Sequence, residues 1–115
     1  MSAELEGRSL IFAKNIRVFC RKLKWDIINQ EDIKQVVRSS GSIGANYIEA
    51  NENLGKADLK MRIRISRKEA KETIHWLKLF HIETTNSQLE TERLKLIDEA
   101  DQLRKIFSAI LLKLE

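Results

Sequence analysis

The chain has 115 residues, with 21 Lys+Arg against 17 Asp+Glu, no proline, four glycines and one cysteine. That length supports one domain over residues 1–115 and is too short for two independent cores. Apolar residues at 43% and charged residues at 33% exclude a disordered tail, the lack of proline argues against a turn-rich β-sandwich or barrel, and a single cysteine excludes a disulfide-stapled secreted scaffold.

The first helix is predicted over residues 8–25. Ala13, Ile16, Cys20, Leu23 and Ile27 recur at steps of three and four, one face of a helix. Ile11, Val18 and Trp25 form a second line seven apart, so this helix should touch more than one neighbour. Residues 26–31 read as a turn, and Asn29 followed by Glu31 and Asp32 reads as a helix start. The second helix is predicted over residues 32–53. Gly41 and Gly44 each cost about 1 kcal/mol against alanine inside a helix. With Ser40 and Ala45 they make a small surface that another helix should approach closely. A break at residues 39–44 is the alternative.

Gly55 suits a left-handed cap that ends the second helix. The third helix is predicted over residues 56–83, with its core line on Leu59, Ile63, Ser66, Ala70, Thr73, Ile74, Leu77 and Phe80. Residues 84–87 form a polar turn. The fourth helix is predicted over residues 88–114 and has the cleanest pattern: Leu96, Ala100, Leu103, Phe107, Ile110 and Leu114 alternate steps of four and three. Short connections between long helices make neighbours antiparallel, so the fold class is all-α, an antiparallel up-down-up-down four-helix bundle.

The charge is uneven. Residues 8–25 hold six basic and no acidic residues, and residues 56–71 hold seven basic and two acidic. On a helix advancing 100° per residue, Lys56, Lys60, Arg64, Arg67, Lys71 and Lys78 fall within about 80° of one another, a ridge about 30 Å long. Asp58, Glu69 and Glu72 fall on another sector. Like charges at this spacing repel, so the ridge calls for acids on the fourth helix or an anionic partner such as RNA or DNA. Arg17 and Arg21 on the first helix are candidate members of the same surface. Met61, Ile65, Trp76 and Leu79 lie opposite the ridge and exceed what one bundle buries, which points to a homo-oligomer interface.

Catalytic and metal signatures are weak. Glu72 and His75 have the Glu-x-x-His spacing of di-iron bundles, but the second copy is missing because Lys78 precedes His81 at that spacing. Gly41 and Gly44 are not followed by the Lys-Ser/Thr of a phosphate-binding loop. Glu49 and Glu52 have no companion nucleophile, and Cys20 lies on a core line as a structural thiol. The expectation is no enzyme, no catalytic residues, no metal and no cofactor. No apolar run reaches the roughly 18 residues that span a bilayer, and the acidic start lacks a signal-peptide core. The expected setting is the cytoplasm, with no membrane partner.

One stretch is distinctive: Arg38-Ser-Ser-Gly-Ser-Ile-Gly-Ala-Asn-Tyr-Ile-Glu-Ala-Asn-Glu52, then Lys56, then Arg64-Ile-Ser-Arg-Lys-Glu-Ala-Lys-Glu-Thr-Ile-His-Trp-Leu-Lys-Leu79. It resembles the bacterial 23S rRNA intervening-sequence proteins, also called S23-type. The resemblance covers essentially the whole chain. The common family form reads Ser-Ile-x-x-Asn-Ile-Ala-Glu-Gly. Here Ser42, Ile43 and Asn46 match, while Ala50 stands where glycine is usual, which is why the second helix is extended to residue 53. The family is similar in fold to the accessory variability determinant of diversity-generating retroelements, a basic, ring-like pentamer that binds a reverse transcriptase and nucleic acid. The resemblance therefore implies a four-helix bundle, a pentameric homo-oligomer without known catalysis or cofactor, and binding to nucleic acid or to a nucleic-acid-processing protein. An adaptor that binds an acidic protein through the ridge is the alternative.

Overall fold

In the computed structural model, which describes residues 2–115, four helices follow one another with short connections: α1 (Ala3–Arg21), α2 (Ile27–Asn51), α3 (Lys56–Leu79) and α4 (Ser87–Leu114). The molecule is a rod of 49 × 22 × 20 Å. Helices α2 and α3 pack most extensively, then α3 and α4, while α1 leans on α2 and α4. Helices α1 and α3 stand diagonally, with no close approach of their backbones. The expected all-α four-helix bundle is the observed fold.

The core lines are those of the 3.6-residue period. Phe12, Ile16 and Phe19 of α1, Val36, Ile43 and Tyr47 of α2, Ile63, Ala70 and Leu77 of α3, and Ala100, Leu103 and Phe107 of α4 are essentially fully buried. Tyr47 and Phe107 set their rings 5.7 Å apart, and Phe19 meets Phe80 edge-on at 6.0 Å. Leaving a 3.5-residue repeat, the α4 seam continues from Phe107 to buried Leu111, so Ile110 and Leu114 flank it.

The helix ends depart from the periodicity because caps decide them. Ser2 accepts the Leu5 amide at 3.1 Å, so α1 starts at residue 3 rather than 8. Asp26 accepts the Asn29 amide at 2.8 Å and starts α2 five residues earlier than the acidic pair at 31–32 suggests. Ile27 is then the first residue of α2 and is 77% exposed, not part of the α1 core. Helix α1 ends at Arg21 rather than 25, α2 at Asn51 rather than 53, and α3 at Leu79 rather than 83. Gly55 has φ 133°, closed to most side chains, but it precedes α3 instead of capping α2 in the left-handed helical region. Helix α2 runs unbroken through Gly41 and Gly44. A Cβ on Gly44 would stand 3.3 Å from the Ser9 Cβ, so α1 and α2 approach closely there.

Candidate nucleic-acid interface

Helix α3 presents its core line inward, its α2 flank on one side and the basic ridge on the other. The α2 flank is a polar seam. The Ser66 hydroxyl donates to the Ile43 carbonyl at 2.9 Å, the Ser39 and Thr73 hydroxyls meet at 2.8 Å, and Arg62 donates to the Asn46 side chain at 3.2 Å. Arg38 reaches from α2 to Glu72 at 3.1 Å and Glu69 at 3.6 Å. Glu69 is almost fully buried, and burial raises its carboxyl pKa, helped by Glu72 and opposed by Arg38. Two of α3's acids are therefore bound to α2, while Asp58 pairs with Arg62 on its own helix at 3.6 Å. The distinctive residues Arg38, Ser39, Asn46 and Ser66 are the ones that build this seam.

The ridge lies on the remaining outward sector. Lys56, Arg64, Lys71 and Lys78 are exposed, and Lys60 and Arg67 are half-buried. Arg64 has a loose contact of 3.8 Å with Glu115. Among the described residues, Lys56, Lys60, Arg67, Lys71 and Lys78 have no carboxylate within ion-pair distance. Among the described residues, α4 offers the ridge no carboxylate at ion-pair distance except Glu115 at its C-terminal end, and most of its other acids have partners elsewhere. Glu92 holds Lys22 at 2.9 Å and Glu99 holds Arg8 at 2.7 Å, both across the α1 side. Glu90 holds Arg93 within α4. Asp101 binds Arg104 and Lys105, whose hydrogen bonds lower its pKa.

Two cations absent from the sequence reading border this surface. Arg93 donates from α4 to the Leu77 and Phe80 carbonyls at the end of α3, where a cation suits the helix dipole. Arg104 lies eleven residues further on, about 20° from Arg93 around α4, and so follows the same line beside α3. Their signal in the sequence was charge alone; the α4 register that aims them at α3 is set by packing.

Arg17 and Arg21 do not join the ridge. They belong to α1, diagonal to α3. The Arg17 guanidinium donates to the Ala13 carbonyl at 3.0 Å and lies against Gly41 of α2. The four surplus apolar residues divide. Met61 and Leu79 are about half exposed, at 46% and 50%. Ile65 and Trp76 are half-buried, and the Trp76 ring packs on the core and stands edge-on to His75 at 5.0 Å. The Trp76 indole N–H is buried without an acceptor.

Cys20 is buried, and burial pushes its thiol up to about 11 against the opposing charges of Arg17 and Arg21, which leaves it unreactive at neutral pH. Among the described residues no group of three His, Cys, Asp or Glu stands close enough to hold a metal ion. No described helix is long and apolar enough to cross a membrane.

No curated protein matches the chain significantly. A crystal structure of a protein of unknown function from the S23 ribosomal protein family of Bacteroides thetaiotaomicron superposes with a TM-score of 0.75 at 28% identity, covering 93% of this chain and 97% of that one. The sequence pattern of the family described as 23S rRNA-intervening sequence protein matches residues 7–109. A match over nearly the whole chain, with a relative of the same length and fold, places the protein in the 23S rRNA-intervening sequence protein family.

Proposed function

We propose that this protein is a non-enzymatic, homo-oligomeric bundle that binds nucleic acid, or a nucleic-acid-processing partner with its nucleic acid, through the basic ridge of α3. The observation that carries the reading is the set of five ridge cations without carboxylate partners, while Glu69 and Glu72 of α3 and Glu90, Glu92, Glu99 and Asp101 of α4 are engaged elsewhere. Uncompensated like charges along one helix cost stability, and a polyanion removes that cost. Trp76 lies about 160° around α3 from the centre of the ridge, so no aromatic platform is available there for base stacking. Recognition is therefore of the phosphate backbone, strongly salt-dependent and weakly sequence-dependent.

Half-exposed Met61 and Leu79, beside Ile65 and the unpartnered Trp76 N–H, support burial of this flank by another subunit. The resemblance to ring-like pentamers sets the expected copy number at five. The polyanion reading is tested with RNA and duplex DNA in gel-shift titrations over a range of KCl. The double variant Arg64→Glu, Arg67→Glu should keep the fold and oligomer and lose most of the affinity. Its slope of log K against log salt should fall by about 1.8, at about 0.9 per phosphate contact. Unchanged affinity and slope would reject the ridge as the binding surface. Absence of any nucleic-acid binding by the parent would favour the acidic-protein adaptor.

A further inference from the structure

The other outward face, between α1 and α2, has a different chemistry from the ridge. A groove of about 480 Å³ runs between these helices. Its floor is Ser9 and Ala13 from α1 and Gly41, Gly44 and Ala45 from α2, so no floor side chain extends beyond a methyl or hydroxymethyl group. Leu10 and Ile48 form its walls and are 56% and 49% exposed. The Ser9 side chain is fully buried in the floor, and its hydroxyl has no hydrogen-bond partner.

Cations line the α1 side of this groove, apart from Glu6 at its N-terminal end, whose carboxylate accepts from the Asn51 side-chain amide at 2.5 Å. Lys14, Arg17 and Arg21 lie within about 60° of one another on α1. Arg17 and Lys14 line the groove, and Arg21 continues their row by one turn. Among the described residues none of the three has a carboxylate within ion-pair distance, whereas Arg8 and Lys22, on the other side of α1, are both paired with α4. The face thus combines an apolar trough with a parallel row of unpaired positive charge at steps of three and four.

We propose that the α1/α2 groove docks an acidic amphipathic helix of another protein. A small-residue floor lets a helix approach closely, and its apolar line would cover Leu10 and Ile48. Acids on the adjoining line of the guest, at the same three-and-four spacing, would pair with Lys14, Arg17 and Arg21. Nucleic acid satisfies only half of this pattern. Phosphates would answer the cations, but a sugar-phosphate backbone gains nothing from two exposed aliphatic walls. The α3 flank of a second copy is also a poor guest. Its exposed apolar line on α3 carries Lys68 between Ile65 and Leu79, and the acid on that line, Glu72, is already held by Arg38 at 3.1 Å. The groove is independent of the ridge, so Arg17 and Arg21 serve a different partner from Arg64 and Arg67.

The probe is a fluorescein-labelled synthetic helix of about five turns, with Leu and Ala on one line and Glu on the next; a second peptide carries Lys in place of Glu. Binding is read by fluorescence anisotropy against the full chain, with RNA binding and oligomer mass measured in parallel. The acidic peptide should bind and the Lys peptide should not. Ala45→Trp, at an exposed position, fills the trough without touching the core and should weaken peptide binding at least about tenfold while leaving RNA binding and oligomer mass unchanged. Arg17→Glu should narrow the preference between the two peptides, while Arg64→Glu, Arg67→Glu should bind the acidic peptide as the parent does. Equal binding of both peptides, or indifference to Ala45→Trp, overturns the proposal. Loss of RNA binding in Ala45→Trp would give the groove to nucleic acid, and loss of the oligomer would give it to a second copy; either outcome also overturns it. Failure of the ridge to bind RNA would leave the peptide result standing.

Discussion

Gly41 and Gly44 sit one turn apart in α2 and separate two forces that both act on helical glycine. Replacing either with alanine gains about 1 kcal/mol of helix propensity. At Gly41 nothing opposes the gain: the new methyl would lie 3.6 Å from the flexible end of Arg17. Gly41→Ala should therefore stabilise by about 1 kcal/mol, a rise of about 4 °C in Tm for a chain of this size. At Gly44 the same methyl would meet the Ser9 Cβ at 3.3 Å and the Ser9 carbonyl carbon at 3.8 Å. Helix α1 must retreat by a few tenths of an ångström, so Gly44→Ala should change stability by less than about half of the Gly41→Ala gain. Gly44→Leu cannot be accommodated by so small a retreat and should cost about 1–3 kcal/mol. Thermal unfolding followed by far-UV circular dichroism, at one protein concentration because assembly shifts Tm, distinguishes the outcomes. If Gly44→Leu stabilises as Gly41→Ala does, propensity governs both sites and the close approach of α1 to α2 is refuted.

The fold was legible because each helix turns one line of residues inward and leaves the rest in water. Four separate lines with the 3.6-residue period, and no proline to break them, leave few architectures. The ends were less legible because they depend on single hydrogen bonds rather than on repetition. Asp26 starts α2 through one contact with the Asn29 amide, and no periodic signal marks it. Asn29 itself looks like a turn residue but is fully buried. Its amide donates to the Lys24 and His81 carbonyls and its oxygen accepts the His81 amide, tying the α1–α2 turn to the end of α3. That role depends on which loops the fold brings together, which no local pattern records.

The surface was legible one helix at a time. The ridge of α3 follows from residue spacing alone, and the structure leaves it on one open sector. Charge pattern does not say which helices are adjacent, so by sequence Arg17 and Arg21 fall in with a ridge from which the diagonal arrangement separates them. The same limitation hid the fate of α4's acids. Glu92 and Glu99 could face α1 or α3 by sequence, and the pairing with Lys22 and Arg8 is a property of the packed bundle. The glycine pair marks a place of close approach by sequence alone, but the groove it leaves open needs α1 in position before it exists.

Two further perturbations test the core and the polar seam. Phe107 is fully buried against Tyr47; Phe107→Ala should cost about 3–5 kcal/mol, and a variant that melts like the parent would show the packing face of α4 to be wrongly placed. The second concerns Glu69, whose pKa is raised above the ordinary 4.5, first by burial and then by Glu72, with Arg38 opposing. In the unfolded chain this carboxyl loses its proton near 4.5; in the folded protein it loses it at higher pH. Its contribution to stability is therefore complete below about 4.5 and is lost as pH rises through the folded value. Glu69→Gln removes the titration, so the Tm difference between variant and parent should move in favour of the variant as pH rises from acid to neutral. Replacing Arg38 with alanine in the parent should steepen the loss, because it removes the charge that favours the ionised form. A variant that instead loses ground to the parent on approaching neutral pH would show that the Arg38 pairing outweighs burial and that the folded carboxyl loses its proton below its ordinary pKa.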